Sequence, residues 1–311
     1  MSTVDLANPS AFVDGAQHEG LAELRRTSPV YFQEMAGEPG FYAVLKHADV
    51  VHVARHPDVF SASEGGVVLE NLTPESLEMM RMMLLAMDPP KHSQFREPLS
   101  EHFKVKVIAQ LEDNVRAITR EIMKEAAGQR DVEFVHDVTS KLPSRVIGQL
   151  MGLPEDDWPM IHQLAERNTS GQDADIAVEA DYSASIEMAM YAIGFAGQRR
   201  AEPPREDLTS VILESDFGGA PMTDIDFGSF FVQLVTAGND TTKTMLSSGL
   251  LALLRHPEQL AELRADPSLM PGAVEEILRW ENPLHYFRRT ALVDTELRGV
   301  AIEKGSKVAM Y

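Results

Sequence analysis

Apolar residues recur every three to four positions over most of the chain, and only its two ends break that rhythm. Near the start, Val30 to Gln33 after Pro29 and the apolar residues that open the segment Phe41 to Ser63 read as short strands. The rest of that segment reads as a helix closed by His56-Pro57. Candidate helices follow from about Pro74 to Met87, Lys91 to Ser100, Val105 to Gly128, Val132 to Met151, Asp156 to Asn168 and Ala184 to Arg199. The acidic, weakly periodic stretch Ser170 to Asp181 reads as a connection between two of them. A much longer helix is predicted from Thr223, where Thr223 and Asp226 form a capping-box pattern, to about Leu254 before His256-Pro257. Two more follow, about Pro257 to Asp266 and Pro271 to Trp280, and Phe287 to Tyr311 then alternates around Gly299 and Gly305 as the short strands of a hairpin. The expected fold is mainly α-helical with a small sheet.

The long helix contains a run that opposes helix formation, LVTAGNDTTKTM, Leu234 to Met245. Residues Gly238 to Thr242 cost about 3 kcal/mol of helix propensity relative to Ala. Phe227, Phe231, Leu234, Gly238, Thr241 and Met245 share a stripe, so the run is expected to face inward. Glycine admits something bulky, and the Thr241 hydroxyl can turn to the Ala237 carbonyl four residues back, which loosens and bends a helix. With Asp240 beside it, this makes a proton relay of carboxylate, hydroxyl and water. Taken alone, it also reads as a close helix crossing.

Composition narrows the class. The 311 residues are 44% hydrophobic, enough for a large core, and no apolar run approaches the roughly 20 residues that span a bilayer. The opening MSTVDLANPSAFVDG lacks the order of a signal peptide, so a cytoplasmic protein is expected. A formal charge of -20 argues against nucleic acid. Against it stands a basic island, where Lys91, Arg96, Lys104 and Lys106 outnumber Glu97 and Glu101. The absence of cysteine excludes disulfides, thiol nucleophiles and Cys metal sites within these residues.

Three further patterns carry candidate chemistry. In MDPPKHSQFR, His92 and Arg96 are four apart on one helix face and both reach one anion, although such pairs also decorate surfaces. In EEILRW, Glu276 and Arg279 form an i,i+3 pair. In FRRTA, the adjacent Arg288 and Arg289 suit an anion. The cluster Met79, Met80, Met82, Met83 and Met87 fits either an irregular apolar ligand or a core.

In this joint order the motifs resemble the cytochrome P-450 superfamily, the haem-thiolate monooxygenases, over essentially the whole chain. Ala237-Gly238-Asn239-Asp240-Thr241-Thr242 looks like the oxygen-activation motif of the family's central helix, and Glu276-x-x-Arg279 like its structural E-x-x-R. MDPPKHSQFR resembles the helix that holds haem propionates, and Arg289 in R-x-A the strand arginine that does the same. The resemblance implies a haem b cofactor bound by His92, Arg96, Ala237, Gly238 and Arg289, and proton delivery by Asp240 and Thr241 for O-O bond cleavage. It implies substrate contacts at Met83, Met87, Leu234 and Gly238. Met188, Met190, Tyr191 and Phe195 fall where the family has lid helices, which favours an apolar substrate.

The family's iron is held by a Cys thiolate on a loop downstream of the hairpin. The chain is therefore expected to be a single, incomplete domain, residues 1–311, with the Cys ligand beyond Tyr311, and inactive in this form. Its texture, including VFSASEGGV, is similar to bacterial hydroxylases of sterols, branched lipids or terpenes. Dioxygen and electrons from NAD(P)H, passed through a reductase and ferredoxin onto the basic island, complete the expectation. The rival is a non-catalytic helical protein that binds hydrophobic small molecules.

Overall fold

The strand-like runs from the two ends of the chain meet in one sheet. The computed structural model describes residues 4–12, 17–170 and 183–311, so nearly all of the connection Ser170 to Asp181 lies outside the described residues. They form two units, residues 1–96 with 285–311 and residues 97–284.

The first unit contains α1 (Gln17–Thr27), β1 (Val30–Met35), β2 (Glu38–Val44), α2 (His47–Arg55), β3 (Phe60–Ser61), α3 (Pro74–Arg81), the start of α4 (Lys91–Ser100), and β4 (Phe287–Ala291), β5 (Thr295–Leu297), β6 (Val300–Ile302) and β7 (Lys307–Met310). Five strands join in the order β1-β2-β7-β4-β3, with β2 and β7 parallel and the other pairs antiparallel. Strand β7 is central and buried throughout. Period-two alternation sends Val44, Val308 and Met310 to a core with Val53 of α2, and Phe41, Ala43 and Ala309 to a core with Leu24 of α1. The expected hairpin is therefore two structures: β4 and β7 belong to the sheet, and β5 and β6 make a separate ribbon. Its turn puts Arg298 and Gly299 at φ of 54° and 80°, which suits a two-residue hairpin.

The second unit is helical: α5 (Val105–Ile108), α6 (Glu112–Ala127), α7 (Lys141–Leu150), α8 (Trp158–Ser170), α9 (Ser183–Arg200), α10 (Leu208–Glu214), α11 (Asp224–Arg255), α12 (Pro257–Ala265) and α13 (Met270–Trp280). The 32 residues of α11 span about 48 Å and pack on α7, α8 and α9. Phe227, Phe231 and Val235 are buried in that contact, as are Met188 and Phe195 of α9. Those two residues are thus core side chains, while Met190 is exposed. Tyr191 joins the core at 6.1 Å from the Phe231 ring and donates to Asp157 Oδ2 at 2.7 Å; burial and that carboxylate push its hydroxyl well above the usual range. No described helix is long and apolar enough to cross a membrane.

The predicted cap is present: Thr223 Oγ1 accepts from Asp226 N at 3.1 Å, and the Asp226 carboxylate accepts from Thr223 N. Thr223→Ala is expected to cost about 1 kcal/mol, which thermal denaturation reads as a fall of about 2–4 °C in Tm.

Three predicted helices are interrupted. The Pro74 segment leaves helical geometry at Met83 and resumes as a 3-10 turn, Leu84–Ala86, where Ala86 is buried with Ala62 and Val67. The Val105 segment passes through a 3-10 turn at Ala109–Leu111. The Val132 segment opens as a π turn, Val135–Thr139. The hydroxyls of Thr139 and Ser140 turn to the carbonyls of Val135 and His136 there, Pro143 has no N–H to offer Thr139, and the wider turn closes through Ser140 N to Val135 O at 2.9 Å.

Candidate active site

In the first unit, α4 and β4 bring His92, Arg96 and Arg289 within electrostatic reach of one another. Burial, then Arg96 and Arg289, lower the pKa of His92 against the opposing pull of Asp88. Burial likewise lowers the pKa of Arg289 against Asp88. Asp88 is the carboxylate facing this group, and it is already committed: it accepts from Ser61 Oγ, from Ala62 N at 2.8 Å, and from Ser63 N and Oγ at 3.2 and 2.8 Å. Burial alone would raise its pKa, and these donors more than offset that, holding it below the usual carboxylate range. The cluster thus gathers two guanidinium groups and an imidazole around one carboxylate. That is the chemistry a carboxylate-bearing ligand requires, and these residues fit the propionates of a haem.

Arg288 does not join them. Neighbouring strand residues face opposite sides, and Arg288 is buried away from the cluster, donating through Nη1 to the carbonyls of Val68 and Glu70 at 3.2 and 3.3 Å. The expectation that both arginines serve one anion is corrected to Arg289 alone, whose Nη1 is steadied by the Arg288 carbonyl at 2.8 Å. Arg81 Nε donates to Ser63 O at 2.7 Å and so ties the Met-rich segment to the Asp88 loop. Met87 there is buried and Met83 half-buried.

In the second unit, α11 is helical throughout the anomalous run, and Thr241 Oγ1 donates to Ala237 O at 2.7 Å as predicted. Asp240 pairs with Lys243 at 2.8 Å, its side chain 40% exposed against 18% for Lys243. The inward direction differs from the expectation. Asn239, at 2% exposure, is the buried polar member of the run, whereas Gly238 and Thr241 are half-buried and Ala237 is exposed. Leu234 is half-buried too. The stripe Phe227, Phe231, Val235, Asn239 advances by four and replaces the one predicted through Gly238 and Thr241. A Cβ on Gly238 would stand 2.8 Å from Ile147 Cδ1, so the side-chain direction at 238 faces α7. Glu276 and Arg279 of α13 form a two-pronged pair at 2.6 and 2.7 Å on the exposed face of their helix.

The structure also supplies partners that the motifs did not name. Ser144 Oγ donates to Asn239 Oδ1 at 2.8 Å and lies 2.8 Å from His162 Nδ1 of α8. Asn168 Nδ2 donates to Thr236 Oγ1 at 2.9 Å, and Thr139 Oγ1 lies 2.7 Å from Ser247 Oγ. Polar residues of α11 at 236, 239 and 247 thus form a seam on the side of α7 and α8. The spacing of those residues was its one sequence signal. Ser144 and His162 also line a cavity of about 900 Å³ in this unit.

A carboxylate beside a back-bonded threonine on a long helix, and a cationic cluster with one committed carboxylate, are the candidate features of the two units. The Cytochrome P450 family profile matches residues 196–311. A steroid C26-monooxygenase of Mycolicibacterium smegmatis is 36% identical over 301 residues, covering 94% of this chain and 70% of that protein. A methyl-branched lipid omega-hydroxylase of Mycobacterium bovis is 34% identical over 313 residues, covering 97% and 72%. The solved structure of a Mycobacterium marinum cytochrome P450 in complex with pseudoionone matches all of this chain and 78% of the other, with a TM-score of 0.90 and 34% identity. The chain belongs to the cytochrome P450 family. It is a monooxygenase similar to bacterial sterol and lipid hydroxylases, and the family implies a haem cofactor.

Proposed function

We propose that the protein hydroxylates an apolar small molecule, of sterol, branched-lipid or terpene type, with dioxygen and two electrons from NAD(P)H. When bound, haem b would activate the dioxygen. The residues of this chain do the rest: His92, Arg96 and Arg289 hold carboxylates of the cofactor, Ala237 and Gly238 of α11 let the cofactor come close, and Asp240 and Thr241 hand over protons. Met83, Met87 and Leu234 meet the substrate, and Glu276 with Arg279 is structural. The observation that carries this reading is the Thr241 hydroxyl turned to the Ala237 carbonyl at 2.7 Å with the Asp240 carboxylate next to it. A hydroxyl in that position is held ready to pass on a proton, and a flanking carboxylate can replenish it.

The family's Cys ligand is not among these 311 residues, and the chain spans 70–72% of the length of the relatives described above. The cytoplasmic setting expected from the sequence belongs to the same proposal. The absorption spectrum of the natively encoded protein, reduced and bound to carbon monoxide, tests it. A thiolate-type band is expected. A protein that binds no haem would overturn the reading in favour of a non-catalytic binder of hydrophobic molecules.

Electrons would arrive from a ferredoxin and its reductase. Lys104 and Lys106 are exposed beside the exposed side chains of Phe103, Val105 and Ile108, and charge around an apolar centre is the anatomy of a docking surface. Reversing both charges with Lys104→Glu and Lys106→Glu is expected to slow reduction by an acidic ferredoxin about tenfold at low salt. The spectral change on substrate addition should stay as it was. Unchanged reduction rates in stopped-flow measurements would sink this assignment.

A further inference from the structure

Helix α7 grips α11 at two points, and both lie immediately before the carboxylate and the threonine. Ile147 is buried, and its Cδ1 occupies the direction in which a side chain at Gly238 would grow, with Cγ1 3.5 Å from the same point. Three residues earlier on the same helix face, Ser144 Oγ holds the Asn239 side chain at 2.8 Å. A buried amide must keep its partner, so the Ser144 bond fixes the rotation of α11 about its axis. The approach of Ile147 to Gly238 limits the distance of α11 from α7, because a residue larger than glycine must push aside the tip of the Ile147 side chain or one of the helices.

Ser144 is itself braced. Its one hydroxyl proton is shared between Asn239 Oδ1 and Ser140 O, the latter at 3.1 Å, and His162 Nδ1 lies 2.8 Å from the oxygen. Burial lowers the pKa of His162 against the pull of Glu166 on its own helix, and His136 of the π turn, Lys243 of α11 and Lys141 of α7 lower it further. One nitrogen of the imidazole is committed to Ser144, and the other lies 3.5 Å from the Glu166 carboxylate. The brace ends at residues 238 and 239, and the next two positions are Asp240 and Thr241.

We propose that Ser144 and Ile147 are positioning residues for the proton-delivering pair, setting the distance and rotation of α11 at Gly238 and Asn239, and that glycine stands at 238 to admit Ile147. The proposal rests on the reading of Asp240 and Thr241 given above. It differs from that reading at Gly238, whose lack of a side chain serves the packing of two helices.

The packing half is tested by thermal denaturation, with no need for activity. Gly238→Val drives its branches into Ile147 and is expected to lower Tm by about 5 °C. Ile147→Ala alone should also lower it, by opening a cavity. The double variant should nevertheless melt above Gly238→Val, because the second substitution removes the clash. A double variant that melts at or below Gly238→Val would overturn the role of Ile147.

The positioning half uses the haem-loaded full-length protein with a surrogate ferredoxin and reductase. Ser144→Ala is expected to raise the NAD(P)H consumed per product by at least about threefold with KM within about twofold, and Ser144→Thr should restore the original ratio. If Asp240→Asn stops turnover while Ser144→Ala leaves the ratio unchanged, positioning by Ser144 is refuted and the proton-delivery reading survives. If neither substitution matters, that reading has failed as well.

Discussion

Asp240→Asn is expected to lower turnover of the haem-loaded full-length protein by about 10²-fold, the lower end of what a positioned proton-transfer group contributes. The substitution keeps the size of the side chain and removes its capacity to take up and give back a proton. It also breaks the pair with Lys243, at 2.8 Å. That loss falls mainly on placement: a solvent-accessible i,i+3 pair supplies a few tenths of a kcal/mol of helix stability, and Asp240 is 40% exposed. Tm should therefore move by no more than about 2 °C, and the substrate-induced spectral change should persist. An interaction needed only during the chemical step lowers kcat and kcat/KM together. A larger solvent isotope effect on kcat would tie the deficit to proton transfer. Turnover within about threefold of the parent would remove Asp240 from the delivery pair and leave Thr241 to draw on solvent directly.

Features written within one turn of helix were legible in the sequence. The Thr223–Asp226 cap and the bond from Thr241 to Ala237 span three and four residues, and both are present with the predicted partners. Lys91–Ser100 is helical over the predicted range, and it carries His92 and Arg96 into one cluster with Arg289. Which polar residue of the long helix is buried was not legible. A stripe drawn at three- to four-residue spacing has two neighbouring solutions around 238 and 239, and local pattern ranks glycine and threonine as better buried than asparagine. What decides for Asn239 is Ser144, 95 positions away in the chain. Arg288 and Arg289 show the opposite case, since strand alternation already separates them. Two short helices, α1 and α10, left little trace in the apolar spacing. The second begins at Asp207, whose carboxylate accepts from Ser210 N at 2.9 Å, a cap that is visible once the buried partner of that aspartate is known.

That partner carries the largest expected effect on stability. Arg199→Leu is expected to destabilise the second unit by about 3–5 kcal/mol, the usual cost of removing one member of a buried ion pair. Two arginines close α9: Arg200 pairs with Asp224 at 3.0 Å and donates to Met222 O at 2.7 Å near the surface, whereas Arg199 is buried. Arg199 is 3% exposed, with Nη1 at 2.9 Å from Asp207 Oδ2 and Nη2 at 3.1 Å from Oδ1 and 2.7 Å from Ser210 Oγ. The Asp207 side chain, 8% exposed, also lies where Gly152 leaves no room for a Cβ, since one would stand 2.2 Å from Asp207 Oδ2. The ion pair therefore fastens α9 to the start of α10, which Thr209 Oγ1 in turn ties to Met151 O after α7 at 2.7 Å. Leucine fills part of the volume and strands the carboxylate, which the N-cap bond alone cannot satisfy. The second substitution Asp207→Asn removes the stranded charge, keeps a capping side chain and should recover a substantial part of the loss. Urea denaturation followed by circular dichroism reads both variants. A loss below about 1 kcal/mol for Arg199→Leu would mean that the pair is no better than its hydrophobic substitute. In that event the three segments would owe their arrangement to the packing of Phe195, Leu208 and Ile212.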